Sequence, residues 1–197
     1  MKRSLMFLLC SCIFFGNLHA QTSKGKFGIS VGQWQPNQLS TDEIGSVFSG
    51  TADSTPFYAV HYSRHLFGDI ALHLSIGYWA HFFDRPDKPI TVRVTPIEIG
   101  VEQSLISDSN ISPYVAYGVA ALLTSTVDGN RLYKLTPGNA SKVGFEIYLI
   151  AGIQADIFRP IGVELNFGYV VANLPESLGV GKDYSGIRAT FGLVYSY

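Results

Sequence analysis

Eight stretches of the chain alternate with period two between large apolar and small or polar residues. Each is close to the about 9 to 11 residues that a tilted strand needs to cross a bilayer. From Lys26 to Trp34, Phe27, Ile29 and Val31 oppose Gly28, Ser30 and Gly32; from Phe57 to His65, Tyr58, Val60 and Tyr62 oppose Ala59, His61 and Ser63. Ile70 to His81 sets Ile70, Leu72, Leu74 and Ile76 against His73, Ser75 and Gly77. Val92 to Ile106 sets Ile97, Ile99 and Val101 against Glu98, Gly100 and Glu102. Val92 and Val94 have the parity of the polar side there, which predicts a register slip, a bulge, at Pro96. Pro113 to Thr124 opposes Val115, Tyr117 and Val119 to Ala116, Gly118 and Ala120, and Val143 to Phe158 opposes Phe145, Ile147, Leu149 and Ile153 to Glu146, Gly152, Gln154 and Asp156. Ile161 to Ala172 and Tyr184 to Tyr197 complete the set, with Glu164, Asn166, Gly186, Arg188 and Thr190 on their polar sides.

The connections alternate as well. They are long at 35–56, short at 66–69, intermediate at 82–91, short at 107–112, long at 125–142, minimal at 159–160 and long at 173–183. One end of the meander thus carries short turns and the other long loops. A soluble sandwich has no reason to sort its loops this way, whereas a barrel inserted from one side of a membrane does. A closed ring also pairs every backbone donor and acceptor, which hydrocarbon demands. The fold class expected is all-β: an eight-stranded antiparallel up-and-down transmembrane β-barrel, polar inside and apolar outside. The rival is a soluble lipocalin-like barrel with its apolar face turned inward around a ligand; the glycine-rich polar faces argue against it.

Residues 1–20 read as an export signal: Lys2 and Arg3, an apolar run from Leu5 to Phe15, and Leu18-His19-Ala20 before the cut. A barrel domain over 21–197 is the expected remainder. Cleavage removes both cysteines, Cys10 and Cys12, and two of 14 basic residues, leaving 12 against 15 acidic ones, a net charge of −3. Stability must then come from packing and the bilayer, not from disulfides. A lipoprotein cut before Cys12 is the alternative, with a poorly matching Leu9-Cys10-Ser11 ahead of it. Scattered basic residues give no footprint for nucleic acid, and the sequence points to no cofactor.

The run Thr190-Phe191-Gly192-Leu193-Val194-Tyr195-Ser196-Tyr197 resembles the insertion signal of outer-membrane barrels, with Thr190, Gly192, Tyr195 and Tyr197 at its four positions. With the export signal and the eight segments, the chain resembles the small outer-membrane barrel superfamily that includes the OmpA transmembrane domain, OmpX and OmpW. That resemblance implies a Gram-negative outer membrane, outer-membrane lipids around the wall, and the barrel-assembly machinery as the reader of the signal, through main-chain pairing.

Candidate chemistry is sparse. His61 and Ser63 share a strand face, and in the lipid A deacylase PagL a His-x-Ser pair supplies base and nucleophile. There, however, the pair lies late in the chain, precedes Asn and faces lipid; here it lies early, precedes Arg64 and faces inward. His73 and His81, eight residues apart around Trp79, read as lumen and rim filling, and no His, Cys and carboxylate cluster suggests zinc. The inward carboxylates Glu98, Glu102, Glu146, Asp156 and Glu164 face few cations, Arg188 being the clearest, and strand neighbourhood pairs it with Glu164. Either a satisfied network plugs the lumen, or water enters and the acidic lining favours cations; the narrow bore of eight strands favours the plug. The sequence therefore suggests a non-enzymatic barrel acting in surface interaction or envelope integrity. Two alternatives stand beside it: a narrow conduit for small or hydrophobic solutes, as in OmpW, and a lipid A-modifying enzyme. Loop residues Val47, Phe48, Leu132, Tyr133 and Leu135 are candidates for a binding surface.

Overall fold

A computed structural model describes residues 25–37, 55–83, 90–106, 110–128, 140–158, 160–178 and 181–197. The expected leader and the loop positions Val47, Phe48, Leu132, Tyr133 and Leu135 lie outside them. Eight long strands and one three-residue strand follow in order: β1 Gly25–Pro36, β2 Pro56–Phe67, β3 Ile70–Phe83, β4 Ile90–Ser104, β5 Ile111–Asp128, β6 Ala140–Phe158, β7 Ile161–Leu178, β8 Gly181–Asp183 and β9 Gly186–Ser196. Each long strand pairs antiparallel with its predecessor, β7 also pairs β9, and β9 pairs β1, so the ring closes. The short β8 folds back on the upper end of β7.

The register fixes the geometry. Stepping round the ladder from Gly25 leads through Arg64, Leu72, Val101, Tyr117, Leu149, Tyr169 and Ile187, and returns to β1 ten residues further on, at Gln35. Eight strands with a stagger of ten tilt by about 40° from the barrel axis, so one residue rises about 2.5 Å along the axis and one step round the ring about 3 Å. These two increments place any side chain by height above Gly25.

Inside, the side chains sort into two tiers. In the lower and middle part stand Lys26, Ser63, His61, His73, Glu98, Glu102, Glu164 and Arg188, all but Lys26 buried. Above them, toward the long connections, Trp34, Phe57, Trp79, Val92, Val94, Leu122, Leu174 and Tyr184 form an apolar cluster, each 2 % exposed or less. Trp34 and Trp79 meet at 5.5 Å, Trp79 stands edge-on to Tyr184 at 6.0 Å, and the Trp79 indole Nε1 donates to the Trp34 carbonyl at 3.0 Å. Burying such rings yields several kcal/mol each, of the order of about 2 to 3.

This upper tier corrects the expected slip at Pro96. β4 pairs β5 in one unbroken register from Ile90↔Asp128 to Ser104↔Tyr114. On the β3 side the ladder skips Gly77 and Tyr78, opposite Thr95 and Pro96, and resumes unchanged at Trp79↔Val94. Proline has no N–H to donate, so the ladder loses a bond but not its register. Val92 and Val94 point inward with Glu98 because the environment inverts. At mid-barrel the inside is polar and the outside apolar; near the long connections the inside is an apolar core, and the residues of opposite parity on β4, Thr91 and Arg93, are polar and themselves buried. Irregular pairing falls instead between His65 and Phe67 and between Asp156 and Phe158 at the short-turn ends, and between Asn173 and Leu178 where β8 folds back on β7. Gly68 supplies the positive φ, 54°, in the first of these turns.

The wall outside the lower and middle part is apolar. Ile29, Val60, Ile76, Ile99, Leu149, Leu165 and Leu193 are all about half exposed. In water such a continuous surface would be far larger than a monomer tolerates; hydrocarbon is the medium that accepts it.

Candidate functional site

The polar tier of the lumen gathers most of the residues that carry charge. Arg188 projects inward from β9 because its parity is that of Gly186 and Thr190, opposite to Phe191 and Leu193. Its Nη1 donates to Glu98 Oε1 at 2.5 Å and its Nη2 to Glu146 Oε1 at 3.0 Å. All three side chains are at most 3 % exposed. The guanidinium also lies 4.9 Å from the centre of the Phe57 ring, joining the ion triad to the apolar tier above.

A second group lies lower. Lys26 Nζ stands 2.6 Å from Glu102 Oε1, donates to Gln154 Oε1 at 3.3 Å and covers the Tyr114 ring at 4.4 Å. The Ser63 hydroxyl donates to Glu102 Oε2 at 2.9 Å and stands 3.2 Å from His73 Nδ1. Glu164 receives Asn166 Nδ2 at 3.2 Å and faces His61 Nε2 at 3.3 Å, with the Tyr114 hydroxyl between Glu164 and Asn166. His61 stacks on His73 at 5.8 Å, and His73 meets Tyr148 at 6.3 Å, which carries the contact chain up to the Arg188 level.

Room for these groups comes from small residues on the inner face. A Cβ on Gly118 would come within 2.7 Å of the Tyr148 hydroxyl, and one on Gly77 within 2.5 Å of the Phe57 ring. The remaining cavity, about 40 Å³, is bordered by His61, Ser75, Glu98, Asn166, Arg188 and Thr190 among others. That is space for a few water molecules.

Seven residues were expected to form a lumen network: His73, Glu98, Glu102, Glu146, Asp156, Glu164 and Arg188. Six of them meet in these two groups. Asp156 lies nearer the short-turn end, half-buried, and accepts at 3.3 Å from Gln154 Nε2, the amide whose oxygen takes a bond from Lys26. The expected Glu164–Arg188 pairing is replaced: β7 and β9 are neighbours, but Glu164 pairs with Gly192 in the ladder and Gly168 with Arg188. The guanidinium therefore sits higher than Glu164 and reaches across the bore to Glu98 on β4 and past β7 to Glu146 on β6.

His61 and Ser63 do not bond to each other; Ser63 meets His73 and Glu102 instead. The single hydroxyl proton of Ser63 is committed to the Glu102 carboxylate, and His73 approaches both through the same Nδ1. A relay needs a histidine that takes the serine proton on one nitrogen while the other is held by the acid. This arrangement is a network, not a relay.

Lys26, Tyr114 and Tyr148 were missed as lumen groups. Parity alone could have found them, since Lys26 matches Gly28, Tyr114 matches Ala116 and Tyr148 matches Glu146; two are aromatic, and the rule that large rings face lipid hid them. Of the insertion-signal residues, Thr190 and Gly192 face inward and Tyr195 and Tyr197 outward. The Tyr197 ring packs against the open face of Gly25 on β1, and its hydroxyl lies 3.4 Å from that of Tyr62 on β2.

No family model matches this sequence, and no curated protein does. Solved structures match along nearly the whole chain. Neisserial surface protein A aligns with a TM-score of 0.58 at 8 % identity, over 91 % of this chain and 100 % of that one. The chain has the fold of the small eight-stranded outer-membrane β-barrels. Ail of Yersinia pestis, in complex with the heparin analogue sucrose octasulfate, aligns at 0.54 with 11 % identity, over 89 % of this chain and 99 % of Ail. OprG of Pseudomonas aeruginosa aligns at 0.54 with 15 % identity, over 89 % and 96 %. At such identities a shared ring of strands is what these small barrels have in common with this one.

Proposed function

We propose that this chain is a non-enzymatic integral protein of a Gram-negative outer membrane, with a closed lumen, that works through its long-connection end in surface interaction or envelope integrity. The observation that carries this reading is the filling of the bore. Lys26 and Arg188 pair with three of four buried carboxylates and His61 faces the fourth, His73 and Ser63 occupy the space between them, and an apolar cap of two tryptophans and their neighbours lies above. A conduit needs a continuous wet path, and the small cavity among the described residues is bordered by an arginine already held by two glutamates. That Ail, a protein named for attachment and invasion, was crystallised with a heparin analogue supports an outward-facing role for a barrel of this shape.

Planar-bilayer recording tests the closed lumen. The purified barrel should show no stepwise conductance, and Glu98→Gln or Glu164→Gln should not alter that record. Reproducible channels that vanish in either variant would replace the plug with a cation conduit. Catalysis is tested by mass spectrometry of lipid A from cells with and without the chain, where His61→Ala and Ser63→Ala should leave every species unchanged. The closed ring itself should make unheated and boiled samples migrate differently in detergent gels; equal migration with solubility in plain buffer would favour a soluble barrel.

We further propose that residues 1–20 are removed on export and that Thr190, Gly192, Tyr195 and Tyr197 present the strand β9 edge to the assembly machinery.

A further inference from the structure

Charge is nearly absent from the outer wall. Among the described residues, the exposed charged side chains are Arg64, Asp69, Asp128, Lys182 and Asp183. Asp69 stands in a short turn and the last three at the long-connection end, so Arg64 alone is set in the lipid-facing surface, with the parity of Tyr58, Val60 and Tyr62 on β2. The apolar surface continues past it, through Val60 and Tyr62 above and through Leu66 and Phe67 below, the last two 52 % and 66 % exposed. Among the described residues nothing answers its charge: the guanidinium has no ion pair and no hydrogen bond. An isolated cation in hydrocarbon is costly, and a long side chain lowers that cost by carrying its head toward the headgroups.

The neighbouring strands bring two hydroxyls to this place. Tyr197, Gly25 and Arg64 lie side by side: Gly25 exchanges both backbone hydrogen bonds with Tyr197, at 3.0 and 2.9 Å, and faces Arg64 across the β1–β2 ladder. Because Gly25 has no side chain, the Tyr197 ring folds over it, with Cζ and the hydroxyl oxygen each 2.8 Å from where a Cβ would stand. The hydroxyl so placed lies 3.4 Å from that of Tyr62, and the charge of Arg64 acts on it. Two hydroxyls that bond to each other use one proton and leave the second free to donate. A guanidinium fork beside a free phenol proton fits the oxygens of a phosphate. The ligand must itself reside in the bilayer, since apolar residues continue above and below. We propose that Arg64, Tyr62 and Tyr197 form a site on the outer wall for the phosphate of an anionic phospholipid in the leaflet at the short-turn end. A headgroup of net negative charge is preferred because the site carries one uncompensated cation, whereas a zwitterionic headgroup brings a cation of its own. This rests on the membrane-spanning reading and adds to it a lipid-specific contact.

Two labelled positions at the short-turn end test it. The full chain, with Cys10 and Cys12 replaced by serine, would carry a single bimane-labelled cysteine at Phe67→Cys, beside the site, or at Ile157→Cys, exposed on β6 across the ring. The vesicles mix phosphatidylcholine with phosphatidylglycerol, and one or the other carries brominated acyl chains. Quenching should show phosphatidylglycerol enriched about fivefold over phosphatidylcholine beside residue 67, the ratio given by an attraction of about 1 kcal/mol, and not enriched beside residue 157. Arg64→Gln should abolish the enrichment, Tyr62→Phe with Tyr197→Phe should lower it, and Arg64→Lys should keep part of it. Inorganic phosphate in place of sodium chloride at equal ionic strength should leave it unchanged. Equal quenching by the two lipids at 67, equal enrichment at 67 and 157, or enrichment that survives Arg64→Gln would overturn the proposal. Loss of the enrichment to inorganic phosphate would assign the site to a free anion and overturn the lipid. Should Arg64→Gln fail to give the heat-modified gel shift, concentrated sodium chloride replaces it: screening should remove the enrichment, and indifference to salt would overturn the proposal. Labels quenched by neither lipid would refute the membrane-spanning reading itself, and the site with it.

Discussion

Replacing Arg188 by methionine removes the one cation that Glu98 and Glu146 share while keeping most of the side-chain volume. Its two charge-assisted hydrogen bonds, 2.5 and 3.0 Å, go to carboxylates that are 3 % and 0 % exposed. Once the guanidinium is gone, two like charges face each other in the bore with no partner and little water. Breaking a buried pair by removing one member costs about 3 to 5 kcal/mol, and the second stranded carboxylate puts Arg188→Met at the upper end of that range. Urea unfolding in lipid vesicles would measure it, and the protein supplies its own reporter: both of its tryptophans, Trp34 and Trp79, sit in the cap just above Arg188. Adding Glu98→Gln and Glu146→Gln to the methionine variant removes the stranded charges and should restore at least half of the loss. The reasoning fails if Arg188→Met costs under about 1 kcal/mol, since carboxylates that tolerate losing their cation are hydrated and the lumen is then open to water. It fails equally if the triple variant is no more stable than the single one.

Lys26→Met should cost less, about 1 to 3 kcal/mol, because its nitrogen stands nearer the lumen mouth and Glu102 keeps its bond from Ser63; a double-mutant cycle with Glu102→Gln in the same urea assay would give the pair's coupling. Trp79→Ala removes the centre of the apolar cap and the indole bond to Trp34, for a loss of about 3 to 5 kcal/mol; combined with Arg188→Met it should produce conductance that neither variant shows alone. Gly118→Val would bring a Cβ against the Ile99 carbonyl oxygen and within 2.6 Å of the Gly100 Cα, nearer than the Tyr148 hydroxyl at 2.7 Å, and should destabilise by about 3 kcal/mol in the urea assay, with Tyr148→Phe returning little of it because the backbone contacts remain. Tyr197→Ala strips the ring from Gly25 and its contact with Tyr62; outer-membrane fractions should then hold less of the protein, while the barrel refolded in detergent keeps its gel shift.

Much of this barrel is written in alternation. A period of two over strand-length windows places Phe27, Ile29 and Val31 on one side and Gly28 and Ser30 on the other whatever the partner strands are, because the pleat itself sends successive side chains apart. Loop lengths then order the strands. What alternation cannot give is the medium on each side at each height. Val92 and Val94 looked like a break in the pattern, since apolar residues were expected outside; they are inward residues in a part of the bore that is itself apolar. The strand ends were also shorter in sequence than in space: β5, β6 and β7 extend to Asp128, Ala140 and Leu178, beyond the height at which lipid enforces a visible pattern.

The sequence by itself determined that this is a ring of eight strands with an apolar wall and a lumen of carboxylates, histidines and one conspicuous arginine, because local stereochemistry and the demand that every backbone group be paired leave little else for such a pattern. Only the tertiary structure decided which charges meet. Partners across the bore depend on the stagger of ten residues, a quantity that accumulates over all eight strands. It is this stagger that lifts Arg188 past Glu164 on the neighbouring strand and delivers it to Glu98 on the far wall and to Glu146 two strands away.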